Sequence, residues 1–235
     1  MVPFLAQRDG LLRRGPACIA LYTNSIQSLV SRAVLVFPLV FACAFSSLLV
    51  AQTQVQPSTP SSLHSAYGEK LRLAGVPNSG KINDRLYRGA QPRDPGLLEL
   101  KKLGITTIVN LRDEDPSTIS WEEKRSESLG IRFVHIAVNQ WSPPTNEQVA
   151  QFLSLFRDNP QETVFVHCHY GEDRTGVFIA SYRMAFEKLP PDQALKEMHY
   201  FGYNGVWHPS MTAFVRDFPA RLTTAPTLVR FKKTE

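Results

Sequence analysis

Cys168 and Arg174 stand with five residues between them in the stretch Cys168-His169-Tyr170-Gly171-Glu172-Asp173-Arg174-Thr175-Gly176. Just before it, residues 163–167 (TVFVH) are mostly β-branched or apolar; just after it comes an apolar segment of helical character. A loop of this length between a buried strand and a helix has a specific physical use. Its successive backbone N–H groups can curl around one tetrahedral anion, and the helix N-terminus adds its positive end. Arg174 supplies a planar fork that takes two phosphate oxygens and does not lose its charge. The same positive field favours a thiolate, the form of cysteine that attacks phosphorus. Gly171 and Gly176 permit the tight backbone and the close approach to the helix, and the Thr175 hydroxyl can donate to the sulfur as it leaves. Cys168, Arg174 and Asp173 are the candidate catalytic residues. His169, Tyr170, Gly171, Glu172, Thr175 and Gly176 are the candidate substrate-binding set. His167 and His169 flank the cysteine, but neighbours on an extended chain face opposite ways, which makes a poor metal site. Neither a Cys-x-x-Cys pair nor a His-Glu-x-x-His helix is present, so the common zinc motifs are absent.

The elements that must position this loop alternate in a regular way. Residues 85–88 read as a short strand, and residues 89–92 turn into a helix near 95–103. Residues 105–110 (ITTIVN) form a strand buried on both faces. A helix follows over 117–129 with Ser117 as its N-cap, then a strand over 131–138. Thr145 caps a helix over 146–157, whose Val149, Phe152, Leu153 and Phe156 share one face. Beyond the strand at 163–167, helices are expected over 175–188, 192–200 and 209–218. Strands alternating with helices predict an α/β domain with a central, mainly parallel sheet flanked by helices. Ligands on such sheets sit at the carboxyl ends of the strands. Phe201, Tyr203 and Trp207 are expected to pack in the core or a loop rather than form a partner patch.

The chain has 235 residues with a formal charge of +5, and that charge is uneven. Residues 1–51 hold Arg8, Arg13, Arg14 and Arg32 against Asp9, leaving 22 basic and 20 acidic residues for the remainder. A near-balanced domain gives no support to nucleic-acid binding. Nineteen uncharged residues run from 33 to 51 behind Arg32, the pattern of a signal peptide or an N-terminal membrane anchor. Export from the cytoplasm is the expectation, with a flexible linker over 52–65, a catalytic domain over 66–220 and a basic tail over 221–235. Three cysteines are too few for a disulfide scaffold.

The segment His167-Cys168, Gly171 and Arg174-Thr175-Gly176 resembles the cysteine-dependent protein tyrosine phosphatases, specifically the compact dual-specificity type and its bacterial and plant or fungal atypical relatives. Leu86-Tyr87-Arg88-Gly89-Ala90-Gln91-Pro92 and Ile108-Val109-Asn110-Leu111-Arg112 are similar to the opening strand and the Asn-Leu-Arg segment of that group. The resemblance spans about residues 75–218. It implies a phosphocysteine mechanism without metal or cofactor, acting on a phosphorylated protein or a small phosphomonoester.

The resemblance also implies an aspartate general acid after the strand at 131–138. That loop reads Asn139-Gln140-Trp141-Ser142-Pro143-Pro144-Thr145-Asn146-Glu147 and holds no aspartate. Asp173 is the first choice to replace it, with Glu147, Asp113 and a site without a dedicated acid as alternatives; a phosphate-binding module or pseudo-phosphatase is a separate reading. Glu172 and Asp173, with no lysine in the loop, favour phosphotyrosine or another monoester over a phosphoinositide or inositol polyphosphate.

Overall fold

The computed structural model describes residues 67–232. The leader, where the export expectation falls, and the linker over 52–65 lie outside the described residues. Six strands, β1 (Glu69–Lys70), β2 (Gly80–Asn83), β3 (Leu86–Ala90), β4 (Thr107–Asn110), β5 (Arg132–His135) and β6 (Val164–Cys168), form one sheet. Their order is β1-β2-β3-β6-β4-β5. The pairs β3–β6, β6–β4 and β4–β5 are parallel, as expected. The hairpin edge β1–β2–β3 is antiparallel. Two- and four-residue strands of mixed polarity carry too little periodicity to be read from sequence.

The helices are α1 (Asp94–Lys102), α2 (Pro116–Ser128), α3 (Asn146–Asp158), α4 (Asp173–Phe186), α5 (Pro191–Tyr200) and α6 (Pro209–Thr224). Among the described residues, none is long and apolar enough to cross a membrane. β6 lies between β3 and β4, and all five of its residues are buried. Its side chains alternate between faces. Phe165 joins Leu97, Leu100, Ile105 and Ile108 in one apolar cluster. Val164, Val166 and Cys168 join the larger cluster with α3, α4, α5 and α6. There Phe152 meets Phe156 and Phe178 edge-on, with ring centroids 5.2 and 5.3 Å apart. Each such buried ring contributes roughly 2 kcal/mol by area. The register of β6 therefore decides that Cys168 faces the helix layer containing α4.

Several boundaries differ from expectation. Asp115, not Ser117, caps α2: its Oδ1 accepts from the Thr118 N–H at 3.2 Å and the Ser117 hydroxyl at 2.7 Å. Pro116 fits the first helical turn, so the helix starts one residue earlier than predicted. Thr145 does cap α3, in a reciprocal box with Gln148. β5 is shorter than 131–138, although Ile136 and Val138 still donate to the Asn110 and Leu111 carbonyls at 2.9 and 3.2 Å. α4 begins at Asp173 rather than Thr175. α6 runs through Pro219 to Thr224, past the expected end at Phe218. The helix tolerates this break because Phe214, Phe218 and Leu222 bury one continuous face. The domain boundary at 220 moves accordingly. Ala225, Leu228 and Phe231 are buried against the larger cluster, so residues 221–232 belong to the domain and not to a tail. Of the late aromatics, Phe201 and Tyr203 are buried, but Trp207 is 73% exposed.

Candidate active site

β6 ends at Cys168 and α4 starts at Asp173, so residues 169–172 form the connecting loop at the carboxyl end of the central strand. A cavity of about 310 Å³ opens there. Cys168, His169, Tyr170, Asp173 and Arg174 line it from this segment, Arg112 and Glu114 from the turn after β4, Gln140 and Trp141 from the turn after β5, and His208 from the start of α6. Cys168 is only 3% exposed, at the cavity floor.

Gly171 is essential to the loop. Its φ is +71°, and an added Cβ would fall 2.4 Å from the Gly89 carbonyl group. No side chain fits between these backbones. Gly176 instead allows α4 to approach Met198 of α5. Thr175 is fully buried and its hydroxyl has no partner, so the expected hydrogen bond to the Cys168 sulfur is not formed in this state. Gly171, Glu172, Thr175 and Gly176 do not line the cavity. Glu172 turns away and lies against Gly202. Of the two carboxylates expected at the mouth, only Asp173 is there; Glu114 takes the second place.

Arg174 is anchored from behind. Its Nη1 donates to Glu114 Oε2 at 2.8 Å and to the Val138 carbonyl at 3.1 Å, and its Nη2 donates to Glu114 Oε1 at 3.1 Å. Nε and the second Nη2 hydrogen remain unspent, a two-donor edge suited to phosphate. Arg112 braces the same carboxylate, donating from Nε to Glu114 Oε1 at 2.9 Å and from Nη1 to Gln91 Oε1 at 2.9 Å. Partial burial alone would raise the Glu114 pKa, but the hydrogen bonds from Arg174, the backbone and Arg112, with the Arg174 charge, together outweigh it and hold the carboxyl far below the usual range. Burial alone would lower the Arg174 pKa, yet Glu114 keeps it above its ordinary value. Sequence reasoning missed Glu114 and Arg112 as site residues. The signal was a run of charges, Arg112-Asp113-Glu114-Asp115, directly after a buried strand.

Of the candidate acids, Asp173 lines the cavity with Cys168. Burial raises its pKa, against the opposing charges of His208 and Arg174. His208, not singled out from sequence, sets Nε2 3.5 Å from Asp173 Oδ2. The Trp141 ring stacks on it at 5.5 Å. Asp113 stands 3.5 Å from Arg174 Nη1. Glu147 is elsewhere, against a separate recess with Pro226 and Arg230, because it lies in the first turn of α3. Tyr170 and Trp141 form exposed walls of the cavity.

Residues 75–208 match the model of the family described as DSP-PTPase phosphatase fused to NAD+ kinase. The chain belongs to this phosphatase family. Its cysteine-phosphatase domain is 28% identical over 113 residues to the OCA1 protein of Mycosarcoma maydis, covering 47% of this chain and 72% of that one. It is 28% identical over 133 residues to the dual specificity protein phosphatase TpbA of Pseudomonas aeruginosa, covering 54% and 55%. The phosphatase thus spans little more than half the length of TpbA. A crystal structure of a TpbA variant in complex with pTyr superposes with a TM-score of 0.58 at 20% identity, covering 74% of this chain and all of that one. The catalytic core of the PP-IP phosphatase Siw14 of S. cerevisiae superposes with a TM-score of 0.53 at 16% identity, covering 66% and 96%. At these identities the superpositions establish the fold.

Proposed function

We propose that this protein hydrolyses phosphate monoesters, phosphotyrosine ahead of polyphosphorylated substrates, through a covalent intermediate at Cys168. The observation that carries the reading is the convergence of Cys168, Asp173 and Arg174 on one cavity at the carboxyl end of β6. The loop N–H groups and the open edge of Arg174 bind the phosphoryl oxygens. The Cys168 thiolate attacks phosphorus; the S–P bond forms as the bond to the leaving oxygen breaks, and Asp173 gives that oxygen its proton. Water then attacks the phosphocysteine and returns a proton to Asp173. The S–P bond breaks, phosphate leaves and the thiolate is restored. A carboxyl whose pKa burial has raised retains its proton to higher pH, as a general acid requires.

The walls support the substrate class. Both cavity arginines, Arg112 and Arg174, are already tied to Glu114. No lysine lines the cavity, so little surplus positive charge faces a polyphosphate. Tyr170 and Trp141 offer flat faces to an aryl group. Similarity to TpbA, a dual specificity protein phosphatase, agrees with this. The charge-free run at 33–51 behind Arg32 supports export, with the domain outside the cytoplasm.

The test is phosphate release from p-nitrophenyl phosphate and a phosphotyrosine peptide, beside Cys168→Ser. Loss of about 10⁴-fold or more in the variant is expected. A folded protein that binds phosphate tightly yet turns over neither substrate would make this a phosphate-binding module.

A further inference from the structure

Behind the phosphate loop, on the side away from the cavity, Arg88 of β3 is completely buried. None of the ion pairs among the described residues includes it. Its Nη2 donates to the Gly171 carbonyl, while Nε and Nη1 have no partner. The Phe201 ring covers the guanidinium, 4.0 Å from its carbon to the ring centroid. Burial lowers its pKa to about 10, so it remains cationic at neutral pH. An unpaired buried cation is costly unless something opposite in sign lies within its field. The neighbours in that field are Glu197, Cys168 and Glu172. Glu197 is already engaged by the Gly68 N–H at 2.5 Å and by Arg183 Nε at 3.1 Å. In the β3–β6 register, Arg88 is opposite Val166 and Ala90 is opposite Cys168.

We propose that Arg88 is a further arginine of the phosphate site, a positioning residue that acts from behind: it fixes the Gly171 peptide and adds its unpaired charge to the field at Cys168. Asn78 shares the first task, its Nδ2 donating to the Tyr170 and Gly171 carbonyls at 3.2 Å each and to the Phe201 carbonyl at 2.9 Å. In a trans peptide the N–H points opposite to the C=O. Carbonyls of Tyr170 and Gly171 held rearward therefore aim the N–H groups of Gly171 and Glu172 forward. Arg174 grips the anion from the front, and Arg88 orients the loop donors and supplies a charge that never contacts substrate.

This inference rests on the phosphatase reading, and its test separates the two. Tungstate affinity is measured on the full chain. The Cys168 peptide is followed by mass spectrometry during alkylation at one pH with anionic iodoacetate and neutral iodoacetamide. If the wild-type protein neither binds tungstate nor releases phosphate, the functional reading itself fails. If it does both, Arg88→Met is expected to bind tungstate about tenfold more weakly and to lose much of the preference for iodoacetate. Its thermal midpoint should be unchanged or higher, since an unpaired buried charge has gone. Arg88→Lys should restore the preference but not the affinity. Wild-type affinity and preference in Arg88→Met overturn the proposal, as do losses that merely track a lowered midpoint. Should Arg88→Met not fold, Arg88→Gln is read instead: it retains a donor for Gly171, so a lost iodoacetate preference supports the charge and a wild-type preference overturns it.

Discussion

The turns that follow β4 and β5 overhang the same cavity and differ in nearly every physical respect. After β4 the chain places Arg112, Asp113, Glu114 and Asp115 in succession, cross-linked to Arg174 and Gln91 at 2.8 to 3.1 Å. After β5 it places Asn139-Gln140-Trp141-Ser142-Pro143-Pro144, without a charge. That turn is held by its own bonds, such as Trp141 N–H to Asn139 Oδ1 at 2.9 Å, and by the stack of Trp141 on His208. The difference teaches a division of labour. In the proposed mechanism, carboxylates stand where an arginine must be aimed, aromatic surface stands where the substrate's carrier group must pass, and the carboxyl that moves the proton belongs to neither turn. Asp173 sits where the phosphate loop enters α4, and partial burial there raises its pKa.

The largest expected effect breaks the comparison if it is absent. Asp173→Asn should slow phosphotyrosine hydrolysis by about 10²–10⁴-fold and spare p-nitrophenyl phosphate, whose leaving group needs little protonation. The decline of the wild-type phosphotyrosine rate as pH rises through the elevated Asp173 value should vanish in the variant. Equal loss on both substrates would return the acid to one of the turns.

A smaller effect sharpens the β4 side. Glu114→Gln leaves the Arg174 fork without its ionic brace and should lower kcat/KM about tenfold, the value of one charge-assisted hydrogen bond. Glu114 has a folded pKa below its unfolded one, so its stabilisation is present above the ordinary carboxylate value and is lost as pH falls. Acid titration of the folded state should therefore be shallower in Glu114→Gln than in the wild type, from about pH 5 downward. The smallest effect concerns the β5 side. Thr145→Ala removes the capping box that closes this turn onto α3 and should cost about 1 kcal/mol of stability with activity unchanged. A large loss of activity would show that the turn holds more than surface.

The alternation of apolar runs with breakers was legible because strands β4 and β6 are buried on both faces and so carry apolar residues at consecutive positions, Ile108-Val109 and Val164-Phe165-Val166. The cap at Thr145 was legible because its partner Gln148 is three residues away. Boundaries failed where a distant face overrode local chemistry: Pro219 should end a helix, but Leu222 packs well enough to carry α6 past it. The β1–β2 edge was missed because its pairing is set across the sheet and not within the strands.

For the site, sequence alone singled out Cys168, Arg174 and the glycine between them as one unit, since a loop that wraps one anion is a local object whose spacing is its geometry. It also determined that the turn after residue 138 lacks an aspartate. Only the tertiary structure decided that Glu114 grips Arg174, that Glu147 borders a separate recess, that His208 reaches Asp173 from the N-cap of α6, 35 positions later, and that Arg88 stands unpaired behind the loop. Each of these follows from which elements, distant along the chain, are brought side by side. Electrostatic partners are chosen by proximity in space, and proximity here follows from the strand order β3-β6-β4-β5, which no local pattern encodes.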